Sequence, residues 1–152
     1  MYAYVAYRIG AGPDAEDVTS EAFARALLYR KTYDAAKGTP VAWLTGIARR
    51  VIAEHTTRNR PNAHEMPEVA APGVLEEDAV TRVTLERAVA VLGDRDRDLV
   101  ALRYGADLTA SQIGEILDLT PNAVEVALHR ALRRLRSELE RAPNSPARPA
   151  RG

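Results

Sequence analysis

Beyond Thr120, one face of an apolar-striped segment collects Asn122, Val126, His129, Arg130 and Arg133. At about 100° per residue these point away from Val124, Leu128, Ala131, Leu135 and Leu139. Such a set can read duplex DNA: an asparagine amide pairs with adenine, a valine touches a thymine methyl, and arginines neutralise phosphate. A capped helical hairpin with a solvated outer face accounts for the same residues without a ligand. Other chemistries lack their parts. There is no cysteine, which excludes disulfides, thiolate metal sites and a cysteine nucleophile. His55, His64 and His129 fall on separate segments, with no HExxH, phosphate-binding glycine loop or nucleophile elbow. The expectation is a protein that is not an enzyme and holds neither metal nor cofactor.

The elements that would carry this face are helical throughout. Thr109 opens a helix with Gln112 three residues on, a capping box, and Ile113, Ile116 and Leu117 face inward. Asp118 and Leu119 make a short turn, with Asp118 a tolerable left-handed residue. Thr120 then caps a second helix with Pro121 in its first turn. Gly114 is small enough to let the two cross closely, so the pair reads as a helix-turn-helix. Upstream, Leu75 to Leu92 predicts a helix packed through Val83, Leu85, Val89 and Leu92. Asp94 is expected to cap another that runs to Tyr104 and stops at Gly105 as a left-handed residue.

The first half has its own punctuation. Gly10-Ala11-Gly12-Pro13 ends a short apolar opening, Tyr2 to Ile9. Asp14 is expected to cap a helix from Ala15 to about Lys31, with acidic residues in the first turn where the dipole favours them. Thr32 to Gly38 reads as a loop. Thr39 caps a further helix with Pro40 in its first turn, and Val41, Leu44, Ile47, Ala48, Val51 and Ile52 form its stripe as far as Arg58. From Asn59 to Gly73, prolines 61, 67 and 72 interrupt any apolar period, which marks a linker. The fold expected is all-α, as two small helical units. The tail from 142 to 152 is Pro, Ala and Arg, and is expected to be disordered.

Composition agrees with a folded chain: of 152 residues, 46% are hydrophobic and 28% charged. No apolar run approaches the roughly 18 to 20 residues that cross a bilayer, and the start lacks a basic region followed by an apolar stretch. A cytoplasmic protein without membrane insertion is expected. Basic and acidic side chains number 21 each, for a net charge of zero. That balance argues against tight binding to DNA by the chain alone, since such affinity comes largely from cation–phosphate contacts.

The run VLGDRDRDLVALRYGADLTASQIGEILDLTPNAVEVALHRALRRLRSEL, positions 91 to 139, resembles the promoter −35-binding domain of bacterial extracytoplasmic-function (ECF) sigma factors. GPDAEDVTSEAFARAL, positions 12 to 27, resembles that family's polymerase-binding helix, and YDAAKGTPVAWLTGIARRVIAEHTTR, positions 33 to 58, its −10 element loop and helix. The resemblance implies an N-terminal unit over 1–58 (core polymerase and −10 binding), a linker over 59–74 and a helix-turn-helix unit over 75–141 for the −35 element. It implies that Asp14, Glu16, Asp17, Val18, Glu21, Phe23 and Leu27 meet the polymerase. The alternative for the acidic turn is dipole compensation alone.

The loop and following helix would hold the −10 strand through Tyr33, Lys37, Trp43, Arg49, Arg50, His55 and Arg58. A mobile loop with a ring to stack on an unpaired base suits that task. Trp43 is either a wedge beside the opened duplex or a core residue. At the −35 element the resemblance points to Thr120, Asn122, Glu125, Val126, His129, Arg130 and Arg133, with Arg134 and Arg136 solvating the helix end. Implied partners are the bacterial RNA polymerase core, promoter DNA and an anti-sigma factor that holds the protein inactive.

Three departures from the family pattern stand out. Met1 falls almost inside the family's first helix, so either the polymerase-binding unit is incomplete or the start codon lies upstream. Glu125, Val126 and Ala127 replace a basic residue, a small polar one and an arginine, and Glu125 repels phosphate unless it reads a cytosine amino group. Asp118 stands at the usual turn glycine. The competing functions are a stand-alone helix-turn-helix regulator and a degenerate sigma-like protein acting by protein–protein contact.

Overall fold

The computed structural model describes residues 1–59, 85 and 87–141, all helix and connecting turn with no strand among them. The expected linker beyond Asn59, most of the helix expected over 75–92, Val83 and the 142–152 tail lie outside the described residues.

Tyr2–Ile9 forms α1 and Pro13–Tyr29 forms α2, followed by one 3-10 turn over Arg30–Thr32. The α2 start differs from expectation. Gly12 is its N-terminal flanking residue and no side chain caps it; Pro13 leads the helix, so Asp14 lies one residue inside. Pro40–Arg58 is α3, where Thr39 accepts from the Ala42 amide at 3.2 Å. Its buried side carries Thr45, Ala48, Val51 and Ile52, while Val41 is exposed. Thr45, outside the expected stripe, can be buried because its hydroxyl donates to the Val41 carbonyl at 2.7 Å.

In the second half, helical residues 87–91 precede α4, Asp94–Val100. Gly93 rather than Asp94 flanks that helix, again without a side-chain cap. Arg97 supplies a different closure, donating to the Leu92 carbonyl at 2.9 Å and the Val89 carbonyl at 3.3 Å. A π turn, Ala101–Gly105, continues α4, with the Ala106 amide reaching back to the Ala101 carbonyl at 3.0 Å. Gly105 is not the left-handed residue expected there; that role falls to Asp107, with φ 55°. Gly105 is small for a tertiary reason. A Cβ on it would lie 2.6 Å from Tyr4 Cα, so α1 runs directly across the end of the π turn.

Ala110–Leu117 forms α5 and Pro121–Arg141 forms α6. The capping box is complete: the Thr109 amide donates to Gln112 Oε1 at 2.9 Å and the Gln112 amide to Thr109 Oγ1 at 3.3 Å. Asp118 takes the left-handed conformation at φ 55°. A β-carbon makes that conformation costly and glycine removes the cost, while loosening the unfolded chain by a smaller amount. Asp118→Gly is therefore expected to raise unfolding free energy by about 0.5 kcal/mol, read as a higher urea midpoint at unchanged slope.

One core joins the two halves. Tyr4, Val5, Ala15, Val18 and Ala22 from the first pack in the same cluster as Leu99, Leu102, Leu108, Ile113, Val124 and Leu128 from the second. A smaller cluster of Val89, Leu92, Val100, Ala131 and Leu135 seals the far side of α4 against α6.

Candidate nucleic-acid and partner interfaces

The helix-turn-helix is built as its sequence suggests. Ile113, Val124 and Leu128 are buried between α5 and α6, with Leu117 and Leu119 packed against them. Thr120 closes the start of α6 by accepting from the Ala123 amide at 3.2 Å. A Cβ on Gly114 would sit 2.4 Å from the Leu119 carbonyl oxygen, so glycine is required by the turn itself more than by the partner helix.

On the outer side of α6, Asn122, Glu125, Val126, His129, Arg130 and Arg133 are all exposed. Among the described residues neither Arg130 nor Arg133 forms a side-chain ion pair. Arg134 and Arg136 are engaged instead, with Asp96 and with Glu140. The face thus presents an amide, an apolar contact and unneutralised guanidiniums at groove-reading spacing, with one carboxylate among them.

On α2 the predicted residues divide. Asp14, Glu16, Asp17, Glu21, Phe23 and Leu27 are exposed, whereas Val18 is buried at 2% exposure and serves the core instead of a partner. Helical geometry gives the reason: Val18 shares its face with Ala15 and Ala22. Glu21 is already paired, accepting from Arg25 Nε at 2.7 Å, and the same guanidinium grips both Glu54 oxygens at 2.8 and 2.6 Å. Those hydrogen bonds hold the Glu54 carboxyl below its usual range and raise Arg25 above its own. The fork ties α2 to α3 and fixes the angle at which α2 shows its outer face.

The C-terminal end of α2 exposes residues the sequence reading missed: Leu28 is 77% exposed and Tyr29 54%. The run Leu27-Leu28-Tyr29 sweeps about 200° around a helix, so it cannot turn entirely inward. Phe23 and Leu27, four residues apart, share a face beyond the acidic first turn, with Leu28 exposed beside them, and exposed apolar clusters of this kind mark protein interfaces.

The −10 candidates also divide. Tyr33 and Trp43 meet with ring centroids 5.6 Å apart at 59°, and the Tyr33 hydroxyl donates to the Gly38 carbonyl at 3.2 Å. Both rings are half-buried, Trp43 against Tyr33, and Lys37 is open to solvent. Arg50 and Arg58 are exposed, so they are available to phosphate. His55 is not comparably open. Its side chain is 17% exposed, with Nε2 3.5 Å from Asp14 Oδ2 and 3.0 Å from the side-chain Nδ2 of Asn59, so it joins the start of α2 to the end of α3. Arg49 is committed elsewhere: Nη2 lies 2.9 Å from Asp98 Oδ2 and Nη1 donates to the Ile116 carbonyl at 3.4 Å.

Sigma-70 region 2 matches residues 1–61 and Sigma-70 region 4 matches residues 88–137, in that order. The chain is 30% identical over 142 residues to the ECF RNA polymerase sigma factor SigW of Bacillus subtilis, covering 83% of this chain and 75% of the relative. It is 32% identical over 146 residues to the ECF RNA polymerase sigma factor SigF of Caulobacter vibrioides, covering 93% and 80%. The chain belongs to the ECF RNA polymerase sigma factor family.

A third relative, the ECF RNA polymerase sigma factor BldN of Streptomyces coelicolor, is 30% identical over 145 residues; 89% of this chain matches, spanning 54% of BldN. Within the sigma fold, α1 to α3 form the region 2 match and 88–137 takes in α4, α5 and most of α6. No helix among the described residues is long and apolar enough to cross a membrane.

Proposed function

We propose that this chain directs bacterial core RNA polymerase to specific promoters, acting by binding and without catalysis of its own, in the cytoplasm. The observation that carries the reading is the open outer face of α6. A built helix-turn-helix presents Asn122, Val126, His129, Arg130 and Arg133 to solvent, in a chain whose other half exposes Asp17, Phe23, Leu27 and Leu28 on α2. In this reading Asp17, Phe23, Leu27 and Leu28 meet the polymerase. Tyr33, Lys37 and Trp43, with Arg50 and Arg58, meet the opened −10 strand, and α6 enters the major groove at the −35 element. Glu125 accepts from a cytosine amino group and selects for that base. An anti-sigma factor would hold the protein inactive by covering the same surfaces.

The test is run-off transcription from a genomic fragment library by core polymerase with and without the chain. Discrete new transcripts are expected. Arg130→Ala with Arg133→Ala should weaken retention of promoter duplex and lower the magnitude of its log–log salt slope by about 2, because each removes one phosphate contact. Stoichiometric polymerase binding without any transcript would make the chain a competitor acting by protein contact. A palindromic duplex bound by the chain alone would make it a stand-alone regulator.

A further inference from the structure

Ser137 lies on the outer stripe of α6 and has no part in the reading above. At about 100° per residue it falls within about 20° of Val126 and Arg130 and about 40° of Arg133, opposite the buried Leu128 and Leu135. The residue is exposed, and its hydroxyl donates to the Arg133 carbonyl at 3.1 Å. Arg133, Arg134 and Arg136 stand four, three and one positions before it. No other serine or threonine of the chain has more than two lysines or arginines in that window. Arg141 follows four positions on. Residues three or four apart on a helix are neighbours, so Arg133, Arg134 and Arg141 all lie within reach of the side chain at 137. A neutral hydroxyl has no use for that many cations. Arg134 engages Asp96 and Arg141 lies 3.0 Å from Glu138, which leaves Arg133 as the neighbour without an ion pair among the described residues.

We propose that Ser137 is the phosphate acceptor for an arginine-directed protein serine kinase, and that its phosphate disarms the duplex-binding face of α6. In the transfer, Ser137 Oγ attacks the γ-phosphorus of magnesium-bound ATP, and the bond from that phosphorus to the bridging oxygen of ADP breaks. The hydroxyl proton passes to the kinase's base, leaving a serine phosphate monoester and ADP. The preceding arginines are the handle by which acidic subsites of such a kinase select the site. Ser137 also lies four residues before the end of α6, where carbonyls lack intrahelical partners and a helix opens most easily. The product carries a charge of roughly −1.5 to −2 and three strong acceptor oxygens. A helix dipole opposes such a charge near its C-terminal end, so capture by the neighbouring arginines decides its effect. Arg133 turns from DNA phosphate to serine phosphate. Arg130, two turns back and about 10 Å along the axis, then works beside a dianion on its own stripe. The inference rests on the promoter-binding reading of α6 and adds a control to it.

The full chain is incubated with magnesium-ATP and a kinase catalytic domain selective for arginine three positions before the acceptor, and the phosphate is mapped by mass spectrometry. Phosphate is expected at Ser137, and is lost in Ser137→Ala. In parallel, the chain made with phosphoserine at position 137 is mixed with core polymerase and a promoter fragment recovered by run-off transcription. Duplex retention should fall at least about tenfold, with the log–log salt slope lowered in magnitude by about 2. Ser137→Ala should retain the fragment within about twofold of the parent. The phosphoserine chain should keep its circular-dichroism helix signal and its co-elution with polymerase, which a merely damaged helix would not explain. In an Arg133→Ala background the phosphate should weaken retention less, because the guanidinium it captures is already gone. Phosphate at Thr32 instead, or none at Ser137, would overturn the acceptor assignment. Retention unchanged by phosphoserine would overturn the control of α6. If the unmodified chain with polymerase retains no fragment, the promoter reading falls and the control with it, while the phosphate map still decides whether Ser137 is an acceptor.

Discussion

Gly114→Val is expected to lower unfolding free energy by about 3 kcal/mol and to abolish retention of −35 duplex. The new Cβ would lie 2.4 Å from the Leu119 carbonyl oxygen, and that neighbour is backbone, which cannot rotate away. Relief requires the turn to open, which breaks the 2.9 Å bond from the Leu119 amide to the Gly114 carbonyl and lifts α6 from Ile113. Gly46→Ala provides the opposite sign from similar chemistry. Position 46 lies within α3 and an added Cβ there meets nothing within 4 Å. The gain in helix propensity should raise stability by up to about 1 kcal/mol. Urea melts of both variants, with duplex retention for the first, check the pair; a Gly114→Val protein as stable as its parent would refute the turn geometry.

Leu27→Glu combined with Leu28→Glu is expected to leave the unfolding free energy within about 0.5 kcal/mol of the parent while weakening co-elution with core polymerase by about 100-fold. The two side chains are 67% and 77% exposed, so folding gains little from them. In an interface the same atoms would be desolvated, and a carboxylate in their place would be buried without a partner. Val18→Glu serves as contrast, since its side chain lies in the core and the change should unfold the protein outright. Retained co-elution by the double variant would move the polymerase contact off the C-terminal half of α2.

What could be read in advance follows the range of the interaction. Thr39 with the Ala42 amide, Thr109 with Gln112 and Thr120 with the Ala123 amide make bonds within a few residues, so their spelling specifies the helix starts, and the left-handed Asp118 is equally local. The tertiary choices were not legible. Asp98 reads as one more charge on a solvated helix until α1 and α3 bring Tyr4, Arg8 and Arg49 around it. The same holds for Gly105, whose neighbour is roughly a hundred positions away in sequence. At the candidate sites, exposure separates residues that pattern alone had pooled: Val18 and His55 serve the fold, and Leu28 joins Leu27 outside it.

The bond from Tyr4 to Asp98 joins residues 94 positions apart, and that span is also an interval of time. A bacterial ribosome adding roughly 5 to 20 residues per second makes α1 about 5 to 20 seconds before the acid that will occupy its socket. During synthesis the α1 surface destined for the π turn is uncovered, and Arg49 has no Asp98 to answer. Any partner that recognises this surface on the nascent chain meets it before intramolecular competition exists. The same partner arriving later must compete with a buried carboxylate already in place.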